Sequence, residues 1–459
     1  MSMTNNLRTT DNNCGKSLQE CNADLAHFGD VYKDLTCIAN IPLKDLAKQN
    51  RDLLIFPKMF SPEEGIDEDP IFYLNGPLSI PENIKLETLN IMGFIGVGNT
   101  QLQIRSRFET GQKDFFLYYL LQKVYSLNLF DLKFSSGTGD FDFLPFLFPR
   151  FLNKALLQGL FKTYRRFSRN DSNVKGPIDI NRHIRLNTPF HGNVAYNCRE
   201  FSTDNYLTQL IRHTIEVIEL KQYGKSILFG SEQTRQNINT IITATPTYNK
   251  KQRDLIIKQN IKPSQHPYFT EYYFLQKLCL AILQNKKLQY GNNPNKIYGI
   301  LFDGAWLWEE FLGKQLEKLG FTHAQNKIRT NGIHLWKGKR LYPDFYKGKQ
   351  EDGTAMNEEK IVLDAKYKKA DSISSKDAHQ IVTYMHILPA KNGGLIYPYP
   401  ENENPNVRGP FKIYGLGGNV YALGMKIPNN ALDYRDFCSK MQNSEKEFET
   451  QIAAILNKI

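Results

Sequence analysis

The sequence predicts a mixed α/β chain, with a β-rich α+β domain first and a domain of alternating strands and helices last. Three observations carry this. Short apolar runs broken by Pro, Gly and Asn fill the first third. A 3.6-residue apolar rhythm dominates residues 200–290. From Tyr298 onward, strand-like and helix-like segments take turns.

At 459 residues the chain exceeds one ordinary core, so several domains are expected. Hydrophobic residues make up 41% and charged residues 23%, a balance that supports packed cores and excludes a disordered chain. The expected organisation is a flexible tail over residues 1–30, rich in Asn, Thr and Asp. A β-rich domain that meets a partner or DNA follows over 31–170. A helical connecting region covers 171–290, and a site-bearing domain covers 291–459.

Within the first domain, LTCIANIP, RDLLIFPKMF, NIMGFIGVGN and TQLQIRSRF read as short strands. KDFFLYYLLQKVYSLNLF, residues 113–130, has helical spacing. The glycines of GFIGVGNT are expected as turns between strands. The greasiest stretch, residues 141–161, is interrupted by Asp142, Pro145, Pro149, Arg150 and Lys154. It lacks the roughly 20 continuous apolar residues of a membrane span, so it reads as a buried segment entering a helix, and no membrane partner is expected.

The net charge of +11 fits a polyanionic partner, although a generally basic proteome gives the same balance. Lys162, Arg165, Arg166 and Arg169 interleave with Tyr164 and Phe167, a pattern suited to a phosphate backbone and equally to a solvated surface turn. Arg105 and Arg107 suit DNA, a protein partner or a charged strand face. The six cysteines are widely spaced with no CxxC pair, as expected of free thiols in a reducing cytoplasm.

The chemistry concentrates in residues 301–397. LFDGAWLWEEFLGKQLEKLG reads as a helix with Ala305, Trp308, Leu312, Leu316 and Leu319 as its apolar stripe, and Glu309 at the stripe's edge. RLYPDFYKG places Asp344 after Pro343, on or beside a strand. In KIVLDAKYKK, the apolar run Ile361-Val362-Leu363 leads straight into Asp364, Ala365 and Lys366. Period-2 alternation sets Asp364 and Lys366 on one face, and hairpin pairing would bring Asp344 to Asp364. Two close carboxylates repel, and a hard divalent cation relieves that: Mg²⁺, with Mn²⁺ as a substitute. The Ala365 carbonyl offers a further oxygen, and Lys366 offers charge for a phosphate. In SSKDAHQIVTYMHIL, the expected buried stripe is Ala378, Ile381, Met385 and Leu388. Gln380 and Tyr384 share a neighbouring face at i and i+4. GGLIYPYP reads as the following strand.

YPD, LDAKYK and HQIVTY, in this order behind the WEE helix, resemble the PD-(D/E)xK nuclease core with a trailing QxxxY element, as in McrC-type restriction subunits and their LlaJI-like branch. GPIDINRHIRLN at 176–187 and REFSTDNYLTQLIRHT at 199–214 resemble the segment before that core. GFIGVGNTQLQIRSRF followed by KDFFLYYLL is similar to the LlaJI-like N-terminal region. The resemblance implies a restriction-endonuclease-like α/β/α nuclease core over 291–459. It also implies a Mg²⁺-dependent endodeoxyribonuclease of an antiviral restriction system, acting on double-stranded DNA beside an AAA+ McrB-like GTPase subunit. Asp344 and Asp364 match the metal-binding acids and Lys366 the catalytic lysine. Glu309 matches the helix acid, with Glu310 as its rival, and Gln380 and Tyr384 match the trailing polar pair. Neither Gly15-Lys16-Ser17 nor Gly224-Lys225-Ser226 completes GxxxxGK[ST], so the NTPase is expected on another chain. The alternatives are a repair or processing nuclease of the same fold, or a non-cleaving scaffold that activates its partner.

Overall fold

The computed structural model describes residues 5–22, 28–50, 53–57, 68–76, 83–108, 114–127, 144–262, 266–288, 297–326, 329–349, 357–369, 373–403, 409–415 and 417–456. The fold is mixed α/β, organised as two compact units. Met1–Phe130 with Gly291–Ile459 form the first, and Asp131–Tyr290 form the second. The divisions thus fall after Phe130 and after Tyr290, with none at 30 or 170.

The first unit holds two large sheets. One has the strand order Asn5–Thr10, Thr100–Arg105, Ile91–Val97, Tyr298–Asp303, Leu53–Phe56. The expected tail therefore supplies an edge strand, paired in parallel with Thr100–Arg105. Its period-2 pattern explains why: Leu7 and Thr9 are buried while Asn6 and Arg8 are exposed. The expected boundary at 291 is also crossed, because Tyr298–Asp303 runs antiparallel to Ile91–Val97 in this sheet. Gly93 is required there: at φ +125° in mid-strand, an added Cβ would lie 2.1 Å from the Ile300 carbonyl oxygen. Gly93 and Gly96 thus sit inside the strand, and only Gly98 of the GFIGVGNT glycines lies in the turn.

Leu35 and Thr36, expected at the start of a short strand, instead end the helix Phe28–Thr36, because Phe28, Val31 and Leu35 fall at helical spacing and are all buried. The expected helix in residues 113–130 spans Phe115–Tyr125, with Asp114 capping it by accepting from Leu117 N–H at 3.1 Å. Residues 58–67 and 128–143, including parts of the runs expected at 51–60 and 141–161, lie outside the described residues.

The second sheet carries the candidate site. Its order is Thr322–His323, Phe345–Lys347, Asn357–Ala365, Ala390–Pro400, Asn419–Ile427, Phe411–Lys412. Asn357–Ala365, Ala390–Pro400 and Asn419–Ile427 are parallel, and antiparallel strands flank them. The parallel step from Asn357–Ala365 to Ala390–Pro400 needs a crossover, which the helix Ser375–Ile387 supplies. Ile381, Met385 and Leu388 bury against Val362, Leu395 and Tyr397. Trp308 and Phe311 of the helix Gly304–Leu316 pack with Phe116 and Tyr119, and Tyr119 packs with Phe437 of the last helix, Tyr434–Leu456.

Among the described residues, the second unit's regular elements are helices and one long pair of strands, Thr163–Asp171 and Val194–Ser202. The basic and aromatic residues of 162–169, expected on a turn if solvated, thus lie mostly on a strand. The six cysteines are free. Among the described residues, no helix is long and apolar enough to cross a membrane.

Candidate active site

Register sets the first contact. Phe345, Tyr346 and Lys347 pair antiparallel with Leu363, Val362 and Ile361. The next step places Asp344 opposite Asp364. Ala365 N–H donates to Asp344 Oδ2 at 2.6 Å, fixing that carboxylate at the strand end. Asp364 is only 1% exposed. Its Oδ2 forms an ion pair with Lys366 Nζ, while Oδ1 is buried without a hydrogen-bond partner among the described residues. A buried carboxylate oxygen left this way is costly.

Lys366 leaves the strand end with its N–H donating to the Ile396 carbonyl at 2.8 Å. Its Nζ donates to Gln380 Oε1 at 3.0 Å and lies 3.8 Å from Asp377 Oδ1. Gln380 Nε2 in turn donates to Tyr384 Oη at 3.1 Å, one turn along the same helix. The structure therefore joins Asp364, Lys366, Gln380 and Tyr384 in one chain of contacts, with Asp344 beside it.

The electrostatics follow from this geometry. Burial, then the charges of Asp364 and Glu309, push the Asp344 carboxyl well above its usual range, against the pull of Ala365 N–H and Lys366. Burial also raises Asp364, although Lys366 opposes it. Burial alone would discharge Lys366, but the surrounding Asp364, Asp344 and Asp377 outweigh it and raise its pKa, so the ammonium stays charged. Burial pushes the Tyr384 phenol up to about 12.

Glu309 stands one step out. Its Oε1 is 3.0 Å from His323 Nε2, yet its charge still contributes to the rise in Asp344. Glu310, the rival acid, accepts from Gln325 Nε2 at 3.2 Å. Among the described residues, no group of three or more His, Cys, Asp or Glu is gathered closely enough to hold a metal ion. Asp344 and Asp364 nevertheless form a donor set that suits a hard divalent cation: two mutually repelling carboxylates, one with a buried oxygen lacking a partner.

Three neighbours are not readable from the sequence. His323 is buried, packs against Phe345 with ring centroids 4.9 Å apart, and meets Glu309. Only the strand pairing of His323 with Phe345 reveals it. Asp377 accepts from Ser374 Oγ at 2.7 Å and pairs with Lys368. Its Ser-x-x-Asp spacing before an apolar run is a legible capping signal, although it does not disclose the nearby Lys366. Tyr367, beside Lys366, is held by Ser106 and Arg107. Arg107 itself, expected on a surface, is half-buried in an ion pair with the buried Asp11 at 2.7 Å.

Two solved structures are among those that the chain matches. One is the refined half-complex from a tetradecameric assembly of Thermococcus gammatolerans McrB AAA+ hexamers with bound McrC. It is 16% identical, covers 95% of this chain and 99% of that chain, and has a TM-score of 0.47. The other is the cryo-EM structure of the Thermococcus gammatolerans McrBC complex, 15% identical over 68% of this chain and 87% of that chain, with a TM-score of 0.33. No curated protein matches the chain. The family model of the McrBC 5-methylcytosine restriction system component matches residues 86–398, a span that includes Glu309, Asp344, Asp364, Lys366, Gln380 and Tyr384. That span exceeds half of the 459 residues, and the chain belongs to the family of McrBC 5-methylcytosine restriction system components.

Proposed function

We propose that the chain is the McrC-type endonuclease subunit of an NTP-dependent restriction system, hydrolysing phosphodiester bonds of double-stranded DNA beside an AAA+ GTPase subunit. The N-terminal resemblance favours the LlaJI-like branch. The observation that carries the nuclease reading is the buried Asp364, with one oxygen on Lys366 and the other without a partner, facing the register position of Asp344.

Asp344 and Asp364 would hold Mg²⁺, with the Ala365 carbonyl as a further oxygen ligand and Glu309 reaching the site's edge. The cation supplies Lewis-acid polarisation of a phosphate and acidifies a water. The chain's own residues do the rest. Lys366 carries a full positive charge at neutral pH and stabilises negative charge developing on the phosphate. Its raised pKa argues against service as a base. Gln380 accepts from the same ammonium, and Tyr384, a neutral phenol, accepts from the Gln380 amide.

The test is plasmid cleavage with Mg²⁺, with and without the AAA+ subunit and GTP. The full chain should cut weakly alone and rapidly in the complete mixture, and Asp364→Ala should abolish cutting while still binding the AAA+ subunit. Full cleavage by Asp364→Ala would refute the site. Rapid, sequence-specific cutting without the NTPase would refute the two-subunit reading.

A further inference from the structure

The hairpin formed by Ile333–Trp336 and Lys339–Leu341 stands immediately before Asp344. Its root is fixed in the nuclease core. Ile333 is 3% exposed and clusters with Val362, Ile381 and Met385, neighbours in sequence of Asp364 and Gln380. The Tyr342 ring covers Gly332 so closely that an added Cβ would lie 2.5 Å from it.

The tip has the opposite character. Trp336 is 63% exposed. Lys337, Lys339 and Arg340 are exposed too, and no carboxylate among the described residues pairs with them. From Lys318 to Pro343 the sequence contains no Asp or Glu at all. A well-anchored element thus presents three uncompensated cations and a bare indole. Cations with an aromatic are the chemistry that meets a nucleic-acid backbone.

Position selects the occupant. Arg340 is four residues from Asp344 and Lys337 seven. At no more than about 3.5 Å per residue, the tip lies within roughly 25 Å of Asp344. That is less than one turn of B-DNA, about 34 Å. A phosphate held at Asp344 and Asp364 and the hairpin tip therefore lie within one duplex turn of each other.

We propose that the hairpin Ile333–Leu341 is a duplex-DNA grip of this nuclease, with Lys337, Lys339 and Arg340 on backbone phosphates and Trp336 against the sugar edge. The proposal rests on the phosphodiesterase reading of the adjacent site. It assigns the grip to contacts with phosphate and sugar, so it predicts little dependence on base sequence.

The experiment uses the full chain carrying Asp364→Asn, so that binding is measured without cleavage, and a labelled duplex of about 30 base pairs. Combined K337Q, K339Q and R340Q should weaken duplex binding at least tenfold at moderate salt. The slope of log affinity against log salt should fall by ~2.7, about 0.9 for each lost phosphate contact. Duplex addition should change tryptophan emission in the parent and not in its Trp336→Phe variant, since Trp308 is fully buried and Trp306 packs against Tyr125. Unchanged affinity and slope in the triple variant would overturn the proposal. So would failure of the parent to bind duplex, or loss of AAA+ subunit binding with duplex binding intact, which would make the tip a protein contact. Wild-type chain that binds duplex through the hairpin yet never cleaves would retire the phosphodiesterase reading and leave the grip standing.

Discussion

Tyr367 Oη lies 2.9 Å from Ser106 Oγ, so the end of an N-terminal strand holds the residue that follows Lys366. The Arg107 guanidinium covers the same ring at 4.8 Å, and Phe108 meets it edge-on with centroids 5.1 Å apart. Arg107 is fixed in turn by Asp11, which accepts from its Nη2 at 2.7 Å and its Nε at 3.1 Å. Burial raises the Asp11 carboxyl even with Arg107 beside it. Removing the guanidinium would strand that carboxyl. Arg107→Ala is expected to destabilise the first unit by roughly 3–5 kcal/mol, and adding Asp11→Asn should recover part of the loss. Chemical denaturation of the four chains of this cycle checks it, and strictly additive losses would contradict it.

Asp344 makes the opposite prediction. Its folded pKa lies well above the ordinary aspartate value of 3.8, through burial and then Asp364 and Glu309. The stability tied to its proton is present below the unfolded value and is lost as pH rises through the folded one. Asp344→Asn keeps an acceptor for Ala365 N–H without that charge. In EDTA, it should therefore be more stable than the wild type, by a margin that widens with rising pH. Mg²⁺ at about 100 times its dissociation constant should stabilise the wild type by about 2.7 kcal/mol, and the variant far less. Equal responses of the two proteins to Mg²⁺ would remove Asp344 from the metal site.

These residues show which features the sequence discloses. Asp364 is legible because three apolar residues precede it on a strand and because its alternation with Lys366 is local. Gln380 and Tyr384 are legible for the same reason, through one helical turn. His323 is not, since its link to Glu309 spans 14 residues and depends on which strands pair. Tyr298–Asp303 joins the N-terminal sheet unannounced, because a strand buried along its whole length carries no mark of its neighbours. Asn5–Thr10 reads as a tail because a polar composition hides an alternation of only two inward residues, Leu7 and Thr9. Arg107 reads as surface because charge alone does not announce a buried partner 96 residues away.

Gln380 is expected to act on rate through Lys366. Gln380→Leu keeps the volume but removes the acceptor at 3.0 Å from Lys366 Nζ and the donor to Tyr384. Residues that orient a catalytic group in this way typically contribute about 10–100-fold. Single-turnover cleavage in the complete system should slow by about that factor, and Gln380→Glu, which retains the acceptor, should lose less. Equal losses in the two variants would show that the amide's contact with Lys366 is not what sets the rate.

The second unit carries an acid-sensitive residue of its own. His213 is fully buried, with Tyr248 Oη 3.0 Å from Nδ1 and Nε2 without a hydrogen-bond partner among the described residues. Burial first, then Arg253 and Arg212, lower its pKa to about 4 from 6.5, with Glu216 opposing. The folded unit therefore resists a proton that the unfolded chain accepts. A depressed histidine pKa contributes stability that is present above about 6.5 and lost as pH falls from there through 4. Each pH unit across that window costs at most about 1.36 kcal/mol, so the full loss is on the order of 3 kcal/mol. His213→Asn keeps an acceptor for Tyr248 but cannot titrate. Between about pH 7.5 and about pH 4.5, the wild type should lose more stability on acidification than the variant does. A wild-type slope that survives the substitution would assign the acid sensitivity to other groups.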